Sequence, residues 1–111
     1  MNVDIEELKR LAESATPGPW VSHPKGYYGA VCTSADMSDW VAVAHGNRRG
    51  NVLANEAYIA AANPSAILEL IRQRDELLTA LREIAEWTER YTTPGHPIST
   101  VARAAIAKAE G

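Results

Sequence analysis

Phenylalanine is absent from this 111-residue chain, and cysteine occurs once. A single Cys32 excludes an intrachain disulfide, and with no second cysteine nearby a structural zinc site is not expected. Cys32 reads instead as a buried strand residue. Long apolar runs are missing too. The longest, AYIAAA from Ala57 to Ala62, is far short of the roughly 20 residues a bilayer requires, and the acidic opening MNVDIEEL lacks signal-peptide character. These absences predict no membrane association and a cytoplasmic location. Positive charge is also scarce: 11 Lys and Arg against 14 Asp and Glu leave a net charge of -3, which argues against duplex nucleic acid as a partner. The only concentrated basic spot is HGNRRG, His45 to Gly50.

What is present fits one small globular domain spanning residues 1–111, because two halves of such a chain would each be too small to bury a useful core. Asp4 to Ser14 places Ile5, Leu8, Leu11 and Ala12 at helical spacing, with Asp4 as the N-cap. ATPGPW, Ala15 to Trp20, then ends the helix, since proline disfavours helical geometry in the residue before it. The joint turns the chain into a sheet, and Trp20 is expected to pack between that sheet and the first helix. WVSH, YYGAVCT and DWVAVAH follow, separated by PKG and SADMS, and read as an antiparallel meander. Strict alternation in the third strand would put Trp40, Ala42 and Ala44 on one face and Val41, Val43 and His45 on the other.

After a glycine-rich loop, GNRRGN, the segment VLANEAYIAAANP is helical up to Asn63-Pro64, where proline suits the first turn of the next helix. From Pro64 to about Arg90 there is no internal Pro or Gly, which predicts a helix roughly 40 Å long. Leu70, Ile71, Leu77, Leu78, Leu81, Ile84 and Ala85 fall in one sector of it, with Arg74 in their midst, expected to snorkel out of the stripe, to pair with Glu6, Glu7 or Glu13, or to serve an interface or anion pocket. Such a stripe is longer than the small sheet and first helix can cover, so a homo-oligomer is expected through it. YTTPGHP breaks the helix, and ISTVARAAIAKAE forms a last short one. The expected class is α+β: a short N-terminal helix, a small three-stranded antiparallel sheet, a long helix and a short C-terminal helix.

Catalytic chemistry is hard to find. His23, His45 and His96 lie apart without ligand spacing, Gly46 and Gly50 bracket NRR without the lysine and hydroxyl of a phosphate loop, and the carboxylates sit on ordinary solvated helix faces. No metal, cofactor or catalytic residue is expected, and a binding protein is favoured over an enzyme.

Three segments stand out together: ATPGPW after a short helix, NEAYIAAANPSAILELI opening a long one, and ARAAIAKAEG at the end. The combination resembles phage and prophage accessory proteins of the Ead-like early-region family, which share a T-P-G-P-W joint and an N-A-x-F-I-A-x-A-N-P corner. Here the corner's aromatic is Tyr58, and Asn55 stands two places before Ala57, so the start of that motif matches loosely. The order of elements is also similar to Thoeris anti-defence sponges, phage oligomers that sequester cyclic nucleotide or cyclic ADP-ribose signals without cleaving them. That resemblance implies a small anionic nucleotide ligand in the host cytoplasm. Arginine forks would meet its phosphates, with Arg72 ranked first, Arg48 and Arg49 next and Arg74 last, and Asn55 and Trp40 would contact a base. The competing expectations are a phage protein that inhibits a host protein through exposed Trp40 or Trp87, and a helical adaptor with idle arginines.

Overall fold

The computed structural model describes residues 3–33, 36–46 and 49–111, with the side chain of Arg49 not described. The fold is α+β, with the element order read from the sequence: α1 (Ile5–Ser14), β1 (Trp20–Ser22), β2 (Ala30–Thr33), β3 (Trp40–Val43), α2 (Arg49–Ala61), α3 (Pro64–Tyr91) and α4 (Pro97–Glu110). The chain divides into two compact units, Val3–Leu70 and Ile71–Gly111, and α3 runs from one into the other.

In the first unit the three strands form an antiparallel sheet in the order β1-β2-β3. Central β2 is wholly buried, Cys32 included, as its apolar composition demands. Helix α2 packs on β1 and β2, burying Val52 and Ala60. It begins three residues earlier than the sequence suggests: Arg49, Gly50 and Asn51, read as loop from their glycine-rich setting, form its first turn. At the β2 end, Gly29 adopts φ +79° and a Cβ there would lie 2.5 Å from the Ala44 carbonyl oxygen, so the tight approach of the two strand ends requires glycine.

Two sequence motifs meet in this unit. Asn63 is buried and caps α3, its Oδ1 accepting from the Ala66 N–H at 3.2 Å while its Nδ2 donates to the Ala60 carbonyl at 3.0 Å. Against it lies Gly18 of the proline joint, where an added Cβ would stand 2.3 Å from Asn63 Oδ1. The joint thus seats on the corner between α2 and α3. Trp20 is half-buried, and its indole N–H donates to the Thr16 carbonyl at 3.0 Å, clamping the two ends of the joint together.

The second unit is a helical hairpin. His96 caps α4 through Nδ1, which accepts from the Ile98 N–H at 3.2 Å, and Pro97 occupies the first turn. Arg103 of α4 bonds Glu89 near the loop, and Arg74 of α3 donates to the Ala109 carbonyl at the far end, so the helices run antiparallel. The buried positions of this unit are Ile71, Leu78, Ala85 and Thr88 of α3 and Ser99, Ala102 and Ile106 of α4.

Candidate functional site: an aromatic hollow beside the sheet

The second strand pair contains an irregularity that sets up the site. Val31 pairs with Ala42, but Cys32 pairs with Trp40, which leaves Val41 as an extra residue on β3. Such a bulge reverses the side-chain alternation beyond it. Trp40 therefore does not share a face with Ala42, as strict alternation would require. It joins the face of its cross-strand partner Cys32 and, one strand further, Val21. The next position along β1 on that face is His23, whose backbone N–H donates to the Ala30 carbonyl at 3.0 Å and so extends the ladder by one residue.

Three rings gather there. His23 and Tyr27 meet edge to face with centroids 4.6 Å apart, His23 and Trp40 are 5.8 Å apart, and Tyr27 and Trp40 are 5.5 Å apart at a tilt of 47°. With Lys25, Met37 and Ser38 they line a shallow hollow of about 400 Å³. His23 is its buried member, whereas Trp40 is 46% exposed and Tyr27 51%. His23 Nδ1 accepts from the Lys25 N–H at 3.1 Å, so in the neutral ring the proton resides on Nε2, a donor. The opposite rim is fixed by Asp36, whose Oδ1 accepts from both the N–H (2.9 Å) and the hydroxyl (2.7 Å) of Ser38. Those two bonds hold the Asp36 carboxyl below the usual carboxylate range.

A hollow with aromatic faces, one ammonium and one imidazole can stack a flat ring and meet a negative charge. Among the described residues no group of His, Cys, Asp and Glu is placed to hold a metal ion.

The residues picked from sequence are scattered by comparison. Among the described ones, only Trp40 lines the hollow. Asn55 on α2 donates to the His45 carbonyl at 2.7 Å, tying that helix to the end of β3. Arg49 opens α2, with its side chain outside the description, and Arg48 lies outside the described residues altogether. Arg72 pairs with Glu76 one turn on at 2.5 Å, and Arg74 pairs with Asp75 at 2.9 Å besides bonding the Ala109 carbonyl. The members that sequence reasoning passed over are His23, Lys25, Tyr27, Met37 and Ser38, because PKG and SADMS read only as turns. The available signal was the density of Tyr, His and Trp flanking those turns, a composition typical of contact surfaces.

Compared with known families, the chain matches the model for Salmonella phage P22 protein Y8K6 over residues 1–111. It belongs to that phage protein family. No curated protein and no solved structure matches it significantly. No helix among the described residues is long and apolar enough to cross a membrane.

Proposed function

We propose that this phage protein is a non-catalytic accessory protein that binds a small anionic nucleotide signal in the host cytoplasm and sequesters it, as the resemblance to anti-defence sponges implies. The observation that carries this reading is the ring cluster of His23, Tyr27 and Trp40 beside Lys25. A base would stack on the exposed faces of Trp40 and Tyr27, while Lys25 and the His23 Nε2–H would meet phosphate oxygens. A volume of about 400 Å³ falls within the range of small-molecule sites. The weight moves from the arginines to Lys25, since Arg72 and Arg74 already answer acidic neighbours. A second reading, inhibition of a host protein, is favoured by the openness of the hollow and by Met37 on its rim, a residue type enriched at protein interfaces.

A thermal-shift panel of cyclic dinucleotides, cyclic trinucleotides and cyclic ADP-ribose isomers tests the choice, because a ligand that binds only the folded state raises its apparent stability. The expected result is a shift with one of these ligands, abolished by Trp40→Ala, reduced by Lys25→Ala and untouched by Arg72→Ala, with the ligand recovered unchanged after heat denaturation. Recovery of a cleaved product would make the protein an enzyme. No shift with any ligand would favour the host-protein reading, and loss of binding in Arg72→Ala alone would return the site to α3.

A further inference from the structure

Helix α3 and helix α4 each carry a second apolar stripe that their mutual packing leaves open. On α3 it comprises Leu77, Ile84, Trp87 and Tyr91, and on α4 Ile98 and Val101, with exposures reaching 67% at Leu77 and 69% at Val101. Every one of these positions except Tyr91 directly precedes a buried one: 77 before Leu78, 84 before Ala85, 87 before Thr88, 98 before Ser99 and 101 before Ala102. A step back of one residue turns about 100° around a helix. In an antiparallel hairpin that step rotates the two helices in opposite senses when both are viewed from one end. The two outer stripes therefore come to the same side, forming one apolar face two helices wide.

Spacing and shape indicate what covers it. Leu77, Ile84 and Tyr91 recur at intervals of seven, with Trp87 between, the repeat of helices that pack along their length against other helices. Bulk is distributed unevenly. Near the loop the face rises on Trp87 and Tyr91, whose rings pack at 5.3 Å, while at the open end α4 offers the small Ala105, with Lys108 at the edge one heptad on from Val101. A twofold axis across the hairpin lays the bulky end of one copy over the small end of the other, which makes the face complementary to itself. We infer that it is the seam of a homodimer in which two α3–α4 hairpins form a four-helix bundle. Helix α4, with 14 residues, gives the face a length of about 21 Å, which over two helix widths is less than a stable interface usually buries, so assembly is weak and depends on concentration.

This inference is independent of the ligand reading, because none of its residues lines the hollow. Sedimentation equilibrium of the full chain from about 5 to 200 µM tests it. The mass should rise towards twice the chain's 12.0 kDa. Leu77→Glu and Val101→Glu should each raise the midpoint concentration at least about tenfold with helical circular dichroism intact, since both side chains are exposed in the single chain, while Trp40→Ala should leave it unchanged. A single-chain mass throughout, growth beyond two chains, or association indifferent to both glutamates would overturn the proposal.

Discussion

At Gly18 the absence of a side chain is a packing requirement. Its would-be Cβ meets Asn63, which cannot step aside because both ends of its amide are bonded, to the Ala66 N–H and the Ala60 carbonyl. Gly18→Ala should therefore destabilise the chain by about 1 to 3 kcal/mol, the usual cost of overpacking, measured by urea unfolding. An alanine variant as stable as the parent would show that the joint can lift off the corner. Trp20→Ala should cost about 2 kcal/mol, the lost bond to the Thr16 carbonyl included, below the 3 to 5 typical of a fully buried aromatic because the ring is only half-buried.

Among the elements, β3 shows best what sequence patterning can and cannot deliver. Its existence and its pairing with β2 follow from Val and Trp content between turn residues, and the long uninterrupted α3 follows from the lack of Pro and Gly after Pro64. The bulge at Val41 does not follow, because an extra residue leaves no mark on a short strand whose two faces are both partly apolar. Yet the bulge decides where Trp40 points, and so whether a hollow exists. Deleting Val41 should restore regular register, turn Trp40 to the opposite face and abolish ligand binding while the chain stays folded, as read by circular dichroism and the ligand panel. Arg72 illustrates the reverse case. Its charge is legible in the sequence, but not that Glu76, one turn away on the same exposed surface, pairs with it.

At the scale of the whole molecule, groups with displaced ionisation contribute to the pH response. Glu7, bonded by Arg10, and Asp36, bonded by Ser38, both have carboxyls lowered from their ordinary values. A carboxyl lowered in the folded state contributes stability that is present above its unfolded pKa and lost as pH falls through its folded one. Arg10 and Arg103 are raised by Glu7 and Glu89, which matters only in strong alkali. From these groups stability should be flat between about pH 5 and 9 and decline below about pH 4, in thermal melts across that range. A decline centred near neutrality would point to a group outside these pairs.

Whether the aromatic hollow takes the ligand is decided by a titration followed by amide and indole NMR. With a ligand chosen from the nucleotide panel, the Trp40 indole N–H and the amides of His23, Lys25, Tyr27 and Ser38 should shift together along one saturable curve, with Arg72 and its neighbours on α3 unmoved. Saturation that perturbs α3 around Arg72 and leaves the Trp40 indole in place would contradict the account.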